Sequence, residues 1–423
     1  MLRGALPDDL KSKLDELLSS ATNPRFAIAF SGGGDSTALL QVLAGHEHCA
    51  AVYIVDHGLR RGSAKEAELA RIRAQAVGYS AQILTWRPEM VKTGLQEKAR
   101  KARYALMGRA CRENDIPFLV TAHTQGDQAE TLLMRYERGT DWRGAAGMAE
   151  STFAPLWPEL ASVTLLRPAL SMTREDLRSY NRENSLEWIE DPSNENTSFK
   201  RIETRQYLKS RSGLADTLIS AATDLQKGRE AEQTHLRARA QNVITYGVMG
   251  DMRLTNAVPS QLLNLCLHAV SGSGEPVRAE ALQRLAAAMR EPNFKGATLG
   301  GTQIMPDVGG YHISRDPGAV LGRNNKPRLP DRVLTEKPTL WDGRFWVEGQ
   351  VKGACIVPFW PERDRLTSEQ RKEFRAIPKS VRKTLPAVVV EGELAAVAGG
   401  LKHPDIQIKS AVQSHLEGRL RPA

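Results

Sequence analysis

The stretch from Arg25 to Leu40 restricts what this chain can fold into more than any other. A short apolar run, Phe26-Ala27-Ile28-Ala29-Phe30, stops at Ser31. Gly32, Gly33 and Gly34 follow, and an apolar-periodic segment opens near Asp35. The pattern predicts a strand, a turn the size of a phosphate group, and a helix. Glycine lets a backbone take φ > 0 and approach a ligand closely. Free N–H groups at the helix start then face whatever anion sits there. Ser31 and Ser36 add hydroxyl donors. Asp35 repels a phosphate unless a divalent cation lies between them, so Asp35 is the candidate metal ligand. A plain glycine turn explains the three glycines, but not both serines and the aspartate.

The alternation continues downstream. Apolar runs at 25–30, 50–55, 81–86 and 118–122 predict strands, and periodic segments at 7–18, 35–44, 63–77, 94–113 and 125–138 predict helices, with Ser63 and Glu66 as a capping pair. The implied fold class is α/β, a doubly wound, mostly parallel sheet. Ligands of such sheets bind beyond the carboxyl ends of the strands. Three polar clusters fall there: 31–36, 56–60 and 123–131. In the last, Asp127 and Glu130 share one helix face at i, i+3. Two carboxylates near a first turn also suit the helix dipole, so these residues alone leave a structural and a functional reading open.

After Gly147 the pattern loosens. Thr173 reads as a helix cap, 188–196 as a polar loop, 213–245 and 258–291 as helical, 297–315 as short strands and 316–332 as a linker. Three domains are expected, 1–212, 213–315 and 333–423, the last two helical and small α+β. A net charge of +9 favours a polyanionic partner without establishing one. Lys200, Arg201, Arg205, Lys209 and Arg211, and the later Arg363, Arg365, Arg371, Lys372, Arg375, Lys379, Arg382 and Lys383, are candidate phosphate contacts; each also suits a solvated surface. No segment approaches the roughly 18 apolar residues of a membrane span. The first twenty residues lack the apolar core of a signal peptide. Cys49, Cys111, Cys266 and Cys355 lie far apart with no C-x-x-C, as expected of free thiols in a reducing cytoplasm and not of an iron–sulfur or zinc site.

Ser31-Gly32-Gly33-Gly34-Asp35-Ser36 matches Ser-Gly-Gly-x-Asp-Ser, the signature of the PP-loop (N-type) ATP pyrophosphatases, with their adenine nucleotide alpha hydrolase-like fold. Further runs narrow the resemblance: Val55-Asp56-His57-Gly58-Leu59-Arg60; Ala99-Arg100-Lys101-Ala102-Arg103-Tyr104; His123, Asp127, Glu130 and Thr131; Arg138-Gly139 and Gly144 through Met148; Arg167-Pro168; and Glu190-Asp191-Pro192-Ser193-Asn194 with Arg201 and Arg205. Taken in order, over about residues 25–210, this set resembles the tRNA(Ile)-lysidine synthetases. Two positions depart from that family: Thr124, often a second histidine, and Asp141, often glycine.

The resemblance implies a ligase. ATP, with Mg²⁺, adenylates O2 of the wobble cytidine in a CAU-anticodon tRNA(Ile), releasing pyrophosphate. The ε-amine of free L-lysine then attacks C2 and AMP leaves, which changes decoding from AUG to AUA. It also implies roles. Ser31, Gly32, Gly33, Gly34 and Ser36 cradle pyrophosphate, Asp35 holds Mg²⁺ and His57 contacts the nucleotide. Asp127 handles the lysine or cytosine, His123 and Glu130 shape that site, and Arg103 stabilises the adenylate. Arg201, Arg205 and Lys209 contact tRNA. His57 equally suits a structural role, and Arg100 and Arg103 a solvated helix face. Asp191 and Asn194 equally suit ordering their loop. A PP-loop tRNA thiolase and a non-catalytic tRNA-binding module are the alternatives. The spaced cysteines disfavour the first; intact Asp35 and Ser36 disfavour the second.

Overall fold

A computed structural model of the chain describes residues 6–59, 62–87, 94–190, 200–323 and 327–421. The chain divides into two compact units, with the boundary between Thr234 and His235.

In chain order the first unit contains α1 (Leu6–Leu18), β1 (Phe26–Ala29), α2 (Gly34–Val42), β2 (Cys49–Asp56), α3 (Ser63–Ala76), β3 (Ala81–Thr85), α4 (Leu95–Glu113), β4 (Phe118–Val120), α5 (Gln125–Glu137), α6 (Trp142–Ala145), β5 (Ser151–Phe153), β6 (Thr164–Leu166), α7 (Arg174–Glu183) and α8 (Lys200–Lys209); α9 (Leu214–Val243) runs past the boundary. The strands form one sheet in the order β3-β2-β1-β4-β6-β5. All pairs are parallel except β5 with β6.

Side chains alternate between faces along a strand, and here both faces are covered. Phe26, Ile28, Val52, Ile54, Val120 and Leu166 enter a core with Leu10 and Leu14 of α1, Leu39 and Leu40 of α2, Ala67 and Ala70 of α3 and Leu177 of α7. Ala27, Tyr53, Leu119 and Leu165 enter a second core with Tyr104, Met107 and Cys111 of α4. A sheet buried on both sides explains why its strands read as unbroken apolar runs. Truncating a fully buried leucine such as Leu14 to alanine costs about 2–5 kcal/mol.

The expected capping pair at Ser63 and Glu66 does not form. Helix α3 opens at Ser63 itself, and Gly62 before it, at φ 100°, makes the turn with no side-chain cap. Strands β1 and β4 are neighbours, and the chain continues from β1 to β2 on one side and from β4 toward β5 and β6 on the other, so their carboxyl ends mark the switch point, where such sheets bind ligands.

In the second unit a five-stranded antiparallel sheet runs Ile244–Tyr246, Met252–Leu254, Gly310–Arg315, Thr302–Asp307, Ala297–Leu299 in spatial order. The helical stretch expected at 258–291 is two helices, Ser260–Ser271 and Ala279–Ala288, because Gly272 at φ 62° ends the first. The closing helix Val412–Arg419 puts Val412 and Leu416 into the core that holds Leu262, Leu263 and Cys266. A four-stranded and a three-stranded antiparallel sheet complete the unit. The segment read as a linker contains a short helix, Pro317–Leu321. Asp316 caps it by accepting from the Gly318 N–H, and Val320 is fully buried. Proline at the first helical position is compatible with a helix start, because its missing N–H would have no partner there. Among the described residues no helix is long and apolar enough to cross a membrane.

Candidate active site

At the end of β1 the glycine loop is held open by its own polar groups. Ser36 Oγ donates to the Gly33 carbonyl at 3.0 Å and lies 3.0 Å from Ser31 Oγ. Thr37 Oγ1 donates to the Gly32 carbonyl at 3.3 Å. Gly32 sits at φ 78°, where a Cβ would lie 2.8 Å from Ile189 Cδ1. That contact accompanies a backbone bond from Ile189 N–H to the Gly32 carbonyl at 2.8 Å. The N-cap residue of α2, Gly33, has no side chain to cap it, so the first N–H groups of the helix are open to an anion. From α7, Asn181 Nδ2 donates to the Gly34 carbonyl at 2.8 Å.

At the end of β4 the helix α5 begins with a capping box. Asp127 Oδ2 accepts from the Thr124 N–H at 2.9 Å and from Thr124 Oγ1 at 3.0 Å. Thr124, one of the two positions at which the sequence departs from the pattern it resembles, is thus a working cap. The other oxygen, Oδ1, receives Arg201 Nη2 at 2.8 Å and Arg174 Nη2 at 3.3 Å. Glu130, one turn on and 2% exposed, takes Arg201 Nε and Arg205 Nε at 2.6 Å each. Arg174 Nε reaches Asp35 Oδ2 at 3.0 Å, so one guanidinium spans the two ends of the site. His123 Nδ1 lies 2.7 Å from Thr121 Oγ1. The turn that follows α5 is ordered by Asp141, which accepts from the Gly144 N–H at 3.1 Å and pairs with Arg143. Asp141, the other departing position, therefore has a cap role.

Burial, with the Asp127 charge nearby, raises the Asp35 carboxyl above its ordinary range although Arg174 opposes it. Burial pushes Asp127 the same way, but Arg201, His123, Arg174 and the Thr124 N–H outweigh it, and its carboxyl sits low. Burial and the Arg167 charge hold His123 well below the ordinary 6.5, so it is neutral near pH 7. Burial and Arg103 lower His57 in the same way. Arg100 and Arg103 stack on the buried Tyr104 ring, their Cζ atoms 5.0 and 5.2 Å from its centroid. Burial would raise that phenol, yet Arg103, Arg100 and Arg167 bring it below its usual value. Cationic groups thus outweigh carboxylates, as a polyphosphate or RNA substrate requires. Among the described residues, His57 Nδ1, Arg103 Nε, Arg167 Nε, Asn181 Oδ1 and Trp188 Nε1 are buried without a hydrogen-bond partner. Such atoms are rare unless something else satisfies them.

These orphaned groups, the glycine cradle and a lone loop carboxylate fit a nucleotide bound with a hard cation, which takes oxygen ligands from one or two carboxylates plus phosphates. Asp35, Asp127, His123 and Glu130 come together as the sequence suggested. Arg103 and His57 lie close enough for the Arg103 charge to act on His57. Arg201 and Arg205 are committed to Asp127 and Glu130, while Lys209 is exposed at the end of α8. Arg60 and the expected loop residues Asp191 and Asn194 lie outside the described residues. Sequence reasoning missed Arg174 and Asn181. Arg174 is a cation at the first position of a helix, where the dipole disfavours it. Asn181 is a polar residue four after the buried Leu177, on the same face.

The PP-loop domain family profile matches residues 6–211. A tRNA(Ile)-lysidine synthase of Ruegeria pomeroyi is 34% identical over 357 residues, covering 81% of this chain and 81% of that protein. One from Caulobacter vibrioides is 30% identical over 408 residues, covering 95% and 93%. One from Hyphomonas neptunium is 34% identical over 316 residues, covering 71% and 81%.

Proposed function

The chain belongs to the tRNA(Ile)-lysidine synthase family, and from that premise we propose that it joins L-lysine to C2 of the wobble cytidine in a CAU-anticodon tRNA(Ile), consuming ATP to AMP and pyrophosphate. The observation that carries this reading is a site with two ends: a phosphate cradle after β1 and a buried carboxylate pair after β4, joined by Arg174.

Cytosine O2 attacks the α-phosphorus and pyrophosphate leaves. The Gly32–Gly34 backbone, the α2 N–H groups and the Ser31 and Ser36 hydroxyls receive the departing phosphates, and His57 lies against the nucleotide. Asp35 is the residue that would hold a Mg²⁺ ion, which would supply neutralisation of phosphate charge when bound. Arg103, whose buried Nε has no hydrogen-bond partner among the described residues, faces the adenylated base. The lysine ε-amine then attacks C2 with its lone pair, the C2–O2 bond breaks and AMP leaves. That amine has a pKa of about 10.4, so its neutral form costs roughly 4.6 kcal/mol at about pH 7. A carboxylate as acidic as Asp127 is a poor base, so Asp127 orients the ammonium and tunes its proton loss. Neutral His123 and the Glu130–Arg201–Arg205 cluster fix its position. Lys209, with Arg201 and Arg205 beside it, lies toward the tRNA. Burial pushes the Cys49 and Cys111 thiols up to about 12, which leaves the thiolase alternative without a ready sulfur nucleophile in this unit.

The test is incubation with ATP, Mg²⁺, labelled lysine and a CAU-anticodon isoleucine tRNA. Label entering the RNA supports the reading; none, with folded protein and intact tRNA, removes it.

A further inference from the structure

Asp127 has no acceptor position to spare. A carboxylate offers about four lone-pair sites, and here the Thr124 N–H and hydroxyl take Oδ2 while Arg201 and Arg174 take Oδ1. An incoming ammonium group must displace one of them. Thr124 is fixed by the start of α5, and Arg201 is anchored a second time on Glu130 at 2.6 Å. Arg174 makes the longest of the four bonds, at 3.3 Å, and its other anchor is Asp35. It projects from the first position of α7, where the helix dipole opposes a cation, so the two carboxylates hold it there.

We propose that Arg174 is a displaceable placeholder, which leaves Asp35 and Asp127 together when a metal-bound nucleotide fills the loop, so that the amine substrate gains Asp127 only afterwards. This rests on the functional reading above. Arg174 occupies only one Asp35 oxygen, but a divalent cation held on the same carboxylate would lie a few ångströms from the guanidinium, and the two like charges would repel each other. Once Nε leaves Asp35, the rigid guanidinium plane carries Nη2 away from Asp127, and its donors become available to phosphate oxygens. Arg174 is in this sense a positioning residue that couples the two ends of the site.

The experiment uses the full chain. Lysine binding is measured by calorimetry, alone and with Mg²⁺ plus an ATP analogue bearing a methylene α–β bridge. Mn²⁺ binding without nucleotide is measured by electron paramagnetic resonance. In the unsubstituted protein the lysine Kd should fall at least tenfold when the analogue is present. Arg174→Met should bind lysine equally with and without it, and should bind Mn²⁺ several-fold more tightly, an effect that damaged packing does not produce. Arg174→Lys, which keeps the charge but cannot span both carboxylates, should also lose the coupling; it carries the test should the methionine variant misfold. Undiminished coupling in a folded variant, absence of coupling in the unsubstituted protein, or unchanged Mn²⁺ affinity overturns the proposal. Lysine binding to no form removes the functional reading instead, while the Mn²⁺ comparison still decides the placeholder role.

Discussion

Asn181 Nδ2 donates to the Gly34 carbonyl oxygen at 2.8 Å, fastening α7 to the glycine loop across the crevice. Asn181 is fully buried. Asn181→Ala removes the donor and leaves that carbonyl short of a partner, at a cost of about 1–3 kcal/mol. Urea unfolding should show this loss, and the KM for ATP should rise. Asn181→Asp should be worse, because two acceptors would then face each other. Full retention of stability in both variants would show that the bond is idle.

Gly32→Ala tests the loop's shape. The left-handed φ of 78° costs a side-chain residue roughly 1–2 kcal/mol, and the new Cβ meets Ile189 Cδ1 at 2.8 Å. Pyrophosphate release should drop by at least tenfold while circular dichroism stays unchanged. Gly45→Ala, also at positive φ but with nothing within 4 Å of its added Cβ, serves as the control and should leave release intact.

Asp35→Ala and Asp127→Asn should separate the two ends. Asp35→Ala should abolish pyrophosphate release. Asp127→Asn keeps the shape and loses the charge; it should retain tRNA-dependent pyrophosphate release while lysine incorporation falls by two orders of magnitude or more. Equal loss of both steps in Asp127→Asn would mean that Asp127 serves activation.

Stability should fall as the pH drops below 6.5. Burial and the Arg419 charge hold His415 at about 3, against an ordinary 6.5. The unfolded chain therefore takes up a proton between those values that the folded chain refuses, and folding stability is lost through that window. By about pH 5 this one residue costs about 2 kcal/mol. His123 acts in the same direction in the first unit. Thermal midpoints between pH 7.5 and 5 should decline, and His415→Gln should flatten the decline. A midpoint independent of pH would contradict the assignment.

The basic run after Arg363 is best probed by charge reversal. Removing the chain beyond residue 325 would strip Val412, Leu416 and Leu420 from the core around Leu262, so a truncation tests folding before binding. Lys372, Arg375 and Lys379 are exposed. Reversing all three should weaken tRNA binding and flatten its salt dependence by roughly 0.7–0.9 log units for each phosphate no longer neutralised. An unchanged slope would assign these charges to solvent.

Much of the first unit was legible because its signals are local. The run Phe26–Phe30, the three glycines and Asp35 state their geometry in ten consecutive residues, and strand–helix alternation supplies the sheet. The strand ends then bring Ser31, Asp35, His123 and Asp127 together with no long-range information. Arg174, Asn181 and the pairing of Arg201 and Arg205 with Glu130 were less visible, because each joins elements far apart in sequence. A basic run reads as a solvated or RNA-facing surface until a buried carboxylate is placed beneath it. In the second unit the composition of 316–332 read as a linker, and the burial of Val320 reveals a packed helix within it.

The central claim is that one end of the site makes a cytosine electrophilic and the other presents an amine to it. The most direct measurement is mass analysis of the nucleosides released from a CAU-anticodon isoleucine tRNA after reaction with ATP and Mg²⁺, first without lysine and then with it. An adenylated cytidine at the wobble position is expected in the first sample and a lysine-bearing cytidine in the second. An unmodified wobble cytidine in both samples, or a sulfur-bearing nucleoside, would contradict it.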